Sequence, residues 1–128
     1  MGIRLVDIVG VDPSWETSHR VKALEVEGRS FALAGLANLK KKDPAEHSRL
    51  MRPIKLVAGT KRLMGTPHVK ADAQGKGVYE MRAQYARLFF FYTSDTDEIV
   101  VCTHLYEKTG SKQKQNKSKI ENLKSALN

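Results

Sequence analysis

A chain of 128 residues with 41% hydrophobic residues is long enough for one domain with a real core, which excludes wholesale disorder. Its 22 Lys and Arg against 14 Asp and Glu leave a net charge of +8 and an isoelectric point of about 9.7, which points to an anionic partner: nucleic acid, an acidic protein or a membrane surface. The single cysteine, Cys102, excludes an intramolecular disulfide and a CxxC zinc pattern, fits a reducing cytosol, and in its apolar run reads as a small buried hydrophobe.

The opening residues, MGIRLVDIVGVDPSW, carry Asp7 and Asp12 and no long apolar run, so neither a signal peptide nor a membrane span is expected there. Residues 3–9 are a weak strand candidate, and the GVDPS run at 10–14 is turn chemistry. Residues 21–27 alternate, with Val21, Ala23 and Glu25 on one side and Lys22, Leu24 and Val26 on the other; Gly28 ends that strand. The Ala- and Leu-rich run Phe31 to Leu39 predicts a short helix with Phe31, Ala34 and Leu39 toward a core and Leu36 near that stripe. Lys40, Lys41 and Lys42 suit the negative end of its dipole and are also a solvated charge run.

A second helix starts at Asp43 as N-cap, with Pro44 in the first turn and Glu46 three residues after the cap. Leu50, Ile54 and Val57 keep helical spacing, but Pro53 predicts a kink or break near Met51–Arg52. Gly65 and Pro67 place the helix end near Met64. From Thr66 the chain reads as a loop, then strands at 78–83, 86–93 and 99–108, joined near Gln84–Tyr85 and by the SDTDE run at 94–98. The LFFFY run at 88–92 suggests a central strand buried on both faces. Gly110 ends the last strand, and Ile120, Leu123 and Leu127 give the lysine-rich tail the spacing of an amphipathic helix. The order implies an α+β domain: a small, mostly antiparallel sheet with a helical hairpin on one face.

Side chains alternate along strands, so Glu80 and Arg82 share one face. On the last strand, strict alternation groups Val100, Cys102, His104, Tyr106 and Lys108, and sets Ile99, Val101, Thr103 and Leu105 on the other, more core-like face. Arg82, Arg87, Tyr106 and Lys108 could then form a basic patch. Cleaving RNA requires a base for the 2′-hydroxyl, an acid for the leaving 5′-oxygen and neutralisation of the phosphorane charge. Arginine forks suit the last role, and His, Glu, Tyr or Lys the first two. His19, His47, His68 and His104 show no metal-ligand spacing, and no cofactor is implied. The same residues equally describe the wet face of a sheet, with Glu80 and Arg82 a charge pair worth at most about 1 kcal/mol. Residue types alone reach a basic α+β domain that could bind RNA.

The segment PHVKADAQGKGVYEMR at 67–82 resembles the loop and strand of the RelE/HigB toxins, in the branch akin to phage-derived host-killing proteins. Tyr79–Glu80–Met81–Arg82 is similar to that branch's aromatic–Glu–aliphatic–Arg strand, and Ala86–Arg87–Leu88–Phe89–Phe90 to its next, arginine-bearing strand. Ile99 to Lys108 is similar to the strand ending in an aromatic and a lysine, and VKALEVEGRSFALAGLANL to the first strand and helix. The resemblance covers roughly residues 21–127. It implies a RelE-like twisted sheet over 21–128, with residues 1–20 an extension that adds a strand or an arm. It further implies a cytoplasmic toxin of a type II toxin–antitoxin module: a metal-independent mRNA endonuclease, ribosome-associated, that inhibits translation. Its partners would be mRNA, the ribosome, a cognate antitoxin of helix-turn-helix type and, through that complex, operator DNA, with no membrane. Carried over by position, Arg82 and Arg87 would hold the scissile phosphate, and Tyr106 and Lys108 would orient or protonate. Glu80 and His104 are further catalytic candidates, and Lys70, Lys76, Lys112 and Lys114 would contact RNA. This chain departs from the pattern at Glu107-Lys108-Thr109-Gly110, where the family has paired lysines and a threonine after the aromatic. The alternatives are a non-catalytic nucleic-acid- or protein-binding regulator of a phage or mobile element, and a basic adaptor for an acidic partner.

Overall fold

The computed structural model describes residues 2–60, 69–71, 77–93 and 99–107. Strand β1 (Ile3–Asp7) leads through a single 3-10 turn (Pro13–Trp15) to β2 (Arg20–Val26); then follow helices α1 (Phe31–Lys42) and α2 (Pro44–Gly59), and strands β3 (Val69–Ala71), β4 (Tyr79–Arg82), β5 (Ala86–Tyr92) and β6 (Ile99–Glu107). The strands form one sheet in the order β1-β2-β6-β5-β4-β3. Every neighbouring pair is antiparallel except β2 and β6. This is the α+β architecture expected from the sequence, and it is consistent with a RelE-like fold.

The main core lies between the sheet and the two helices. Val21 and Ala23 of β2, Met81 of β4, Leu88 and Phe90 of β5 and Val100 and Cys102 of β6 meet Leu36 and Leu39 of α1 and Leu50, Ile54 and Val57 of α2. A second apolar cluster, Leu24, Phe91 and Val101, sits on the opposite face. Strand β5 is therefore buried on both faces, as its LFFFY run implied, and Phe89, Phe90 and Phe91 are all 0% exposed. Each such ring contributes about 1.5–3 kcal/mol through burial. Cys102 is buried as well, and desolvation pushes its thiol up to about 12.

Several expectations are corrected. The buried stripe of α1 is Ala32, Leu36 and Leu39, whereas Phe31 and Ala34 are exposed. The helix turns this way because Gly35 lies against β6: a Cβ there would come within 2.9 Å of the Leu105 Cβ. Helix α2 runs without a break through Pro53, which is itself buried. Burial of Leu50, Ile54 and Val57 on either side of the proline offsets one missing ladder bond. The helix ends at Gly59, with Thr60 in extended geometry as its cap, rather than near Met64. Strand β3, which pairs Val69 with Met81 and Ala71 with Tyr79, lies in a stretch expected to be loop. The expected terminal helix lies outside the described residues.

Candidate functional site

The decisive irregularity is in β6. Phe89 pairs with His104, but the next β5 residue, Phe90, pairs with Cys102, so Thr103 is an extra residue on its strand. Its hydroxyl donates to the Phe89 carbonyl at 3.4 Å. Such a bulge reverses side-chain parity along the strand. Val100 and Cys102 face the helices, yet His104 and Tyr106 face the other way, and Leu105 takes the helix side against Gly35. The single-face grouping of Val100, Cys102, His104 and Tyr106 is thus overturned, and so is the assignment of Ile99, Val101, Thr103 and Leu105 to one core face.

The parity change brings five of the candidate residues together, across β4, β5 and β6, on the sheet face away from the helices. Arg87 pairs in register with Arg82 on one side and with Tyr106 on the other, and Phe89 with Glu80 and His104. Arg82 holds the Glu80 carboxylate in a two-pronged contact, Nε to Oε1 at 2.8 Å and Nη2 to Oε1 at 2.6 Å. The Tyr106 hydroxyl donates to the other Glu80 oxygen at 3.4 Å. Burial, then the Glu80 charge, pushes the Tyr106 phenol up to about 12, against the opposing pull of Arg87 and Arg82. At neutral pH it is a proton donor and not a base. The Phe89 ring lies 4.8 Å from Tyr106, stacked, and 5.1 Å from His104, edge-on.

Exposure separates these residues. Glu80, Arg87 and His104 are 3%, 7% and 8% exposed, whereas the Arg82 side chain is 28% exposed and Tyr106 is half-buried. The Arg87 guanidinium is turned to the chain itself: its Nη1 donates to the carbonyls of Ala83 and Ala86 at 3.1 Å and of Gln84 at 3.5 Å. Arg82 is accordingly the accessible cation of the cluster. Lys70 lies on β3 opposite Glu80 in backbone register. Lys76, Lys108, Lys112 and Lys114 lie outside the described residues.

One residue that shapes this site is invisible to motif reading. Glu46 reads as the third residue of a capped helix start, and its N–H does bond to Asp43 Oδ1 at 3.1 Å. Its carboxylate, however, is 0% exposed and receives the backbone N–H groups of Gln84, Tyr85 and Ala86 at 3.3, 2.7 and 2.8 Å, together with Arg49 at 3.1 Å. Burial opposes its ionisation, but the N–H groups of Ala86 and Tyr85, Arg49 and the N–H of Gln84 outweigh that and hold the carboxyl below its ordinary range. Asp43 adds a bond from the Tyr85 hydroxyl at 2.7 Å, which raises that phenol to about 12. The β4–β5 turn between Arg82 and Arg87 is thus held from both sides, its N–H groups by Glu46 and its carbonyls by Arg87. About forty residues separate Glu46 from that turn, so no local signal announces the contact.

The family model described as "Phage derived protein Gp49-like (DUF891)" matches residues 37–127. The chain belongs to this Gp49-like family. Membership is consistent with a toxin or another mobile-element protein. The matched span starts inside α1 and takes in α2 and β3–β6, hence every member of the polar cluster; β1 and β2 precede it. The comparison with curated proteins gives no match. Among the described residues of this Gp49-like chain, no helix is long and apolar enough to cross a membrane.

Proposed function

We propose that this Gp49-like protein is a toxin-like RNA endonuclease that acts on mRNA in the cytoplasm, without a metal, and inhibits translation. The observation that carries the reading is the Thr103 bulge, which sets His104 and Tyr106 beside Glu80, Arg82 and Arg87. A sheet face that only needed solubility would have no use for an arginine fork, a buried carboxylate and a high-pKa phenol in mutual contact. In this reading Arg82 exchanges Glu80 for the scissile phosphate, since its fork matches phosphate oxygens. The freed Glu80 carboxylate then accepts the 2′-hydroxyl proton as that oxygen attacks phosphorus, and Tyr106 gives its proton to the leaving 5′-oxygen as the P–O5′ bond breaks. Arg87 contributes positive potential and holds the turn, so it is a positioning residue here and not the direct phosphate ligand that its sequence position implied. His104 and Lys108 are the remaining proton-transfer candidates. A cognate helix-turn-helix antitoxin would neutralise the protein and bring it to operator DNA.

Induced expression without a partner tests this. Growth should arrest and primer extension should map new 5′ ends in mRNA; Arg82→Ala should abolish both. Undiminished toxicity in Arg82→Ala and in Arg87→Ala would overturn the assigned roles. The second reading, a regulator that binds nucleic acid without cutting it, draws on the burial of Glu80, Arg87 and His104. It expects salt-sensitive RNA or DNA binding with no new 5′ ends.

A further inference from the structure

The helical side of the sheet carries a concavity remote from the polar cluster. The turn after β1 arches over α1, and between them lies a half-open cavity of about 480 Å3, within the range of about 300–1,000 Å3 usual for small-molecule sites. Ile8, Val9, Leu33, Leu36 and Ala37 form its wall, and Lys40, Lys41 and His47 also line it. Leu33 and Ala37, like Leu36 and Lys40, are four residues apart, so the lining runs along one face of α1, apolar first and basic at its C-terminal end. Ile8 and Leu36 are 4% and 5% exposed and make a fixed floor, while Val9 forms a lip at 79%. Gly10, at φ +94, turns the chain into this arch, and a Cβ there would meet Met51 Cε at 3.3 Å, so the arch is seated on α2.

The charge in the cavity has one sign. Lys40 and Lys41 are exposed and make no ion pair among the described residues, in contrast to Lys42, which pairs with Glu107. Burial, then the Lys40 charge, keeps the His47 imidazole below its ordinary range, so at neutral pH it offers a neutral ring and the lysines supply the charge. We propose that this cavity binds a small amphipathic carboxylate, with its apolar body against Val9, Leu33 and Leu36 and its carboxylate at Lys40 and Lys41. A small molecule fits better than a docked protein helix. The exposed Phe31 and Leu56 lie outside the lining, and the α1 positions Ala34 and Asn38 present small or polar groups to solvent, so α1 offers no continuous apolar stripe beyond the concavity.

The test titrates decanoate into the full chain, followed by NMR and by thermal unfolding, with decyltrimethylammonium and an acidic amphipathic helical peptide as comparison probes. Decanoate should give saturable shifts at Val9, Leu33 and Ala37 and raise Tm. Lys40→Glu combined with Lys41→Glu should weaken its binding by about tenfold or more. Ala37→Glu, at an exposed helical position, should abolish it while leaving the circular dichroism spectrum unchanged; if that variant does not fold, the double lysine variant carries the test. Absence of saturable decanoate binding, equal binding of decyltrimethylammonium, or binding of the peptide in place of decanoate would each overturn the proposal.

Discussion

Arg82 and Arg87 differ in what their guanidinium groups already hold. Arg87 serves three carbonyls of its own turn, so Arg87→Ala should lower stability by about 1–3 kcal/mol, read from urea unfolding, through acceptors left without donors. Arg82→Lys keeps a cation beside Glu80 but loses the fork, and should leave the urea midpoint nearly unchanged while reducing RNA cleavage sharply. Glu46 makes a pH prediction. Its folded-state pKa lies below its ordinary value of 4.5, so its contribution is present above that value and is lost as pH falls through the folded pKa. Glu46→Gln should cost about 1.5–3 kcal/mol at pH 7, and the gap to wild type should narrow in urea titrations as the pH is taken below 4.5. Asp43, held below its ordinary range first by the Tyr85 hydroxyl, adds to the same acid sensitivity. Parity made the Glu80–Arg82 pair legible in the sequence. The inward turn of Arg87 was not, because it depends on carbonyls that only a formed hairpin presents.

At the scale of elements, one inserted residue decides what β6 does. Its sequence held a clue: strict alternation would have put apolar Val100 and Cys102 on the same face as His104 and Tyr106, and an apolar-to-polar change along one face is what a bulge resolves. Deleting Thr103 makes His104 follow Cys102 directly, so regular alternation keeps Cys102 toward the helices and His104 and Tyr106 on the opposite face. The expected outcome is that the deletion and Thr103→Val both retain a cooperative unfolding transition, read from urea titrations. The α1–β6 contact is equally specific. Gly35→Ala brings a Cβ to 2.9 Å from Leu105 Cβ and should cost about 1–3 kcal/mol by overpacking, measured by thermal unfolding. Helix α1 itself was legible from its composition, but its buried face was not. Phe31 looked like an anchor on hydrophobicity alone, and the close approach at Gly35 selects Ala32, Leu36 and Leu39 instead.

For the whole molecule, the sheet separates two surfaces of different chemistry. One face packs against the helices and, at its rim, forms the apolar cavity; the other carries the arginine–carboxylate–phenol cluster. With a net charge of +8, binding to single-stranded RNA should weaken steeply with salt, with a log–log slope of about −0.7 for each phosphate contact. Filter binding across a salt series reads that slope, and Arg82→Ala should reduce it by one contact. The matched family span contains the cluster and the helix that clamps its turn, while the cavity straddles its start: the arch after β1 precedes the span, and Ala37, Lys40, Lys41 and His47 lie within it.

What the sequence determined by itself was the local code: capped α2, the twofold alternation of β2, the doubly buried β5, and the presence of Glu80 and Arg82 on one strand and of His104 and Tyr106 on another. Those follow from interactions between residues near in sequence or from simple periodicity. Only the tertiary structure decided which way β6 presents His104 and Tyr106, that Glu46 on α2 grips the β4–β5 turn, and that Arg87 is occupied. The first two depend on hydrogen bonds between segments far apart in the chain, and the third on carbonyls of its own turn that only the formed hairpin presents; none of these partners is in place until the sheet and helices have packed.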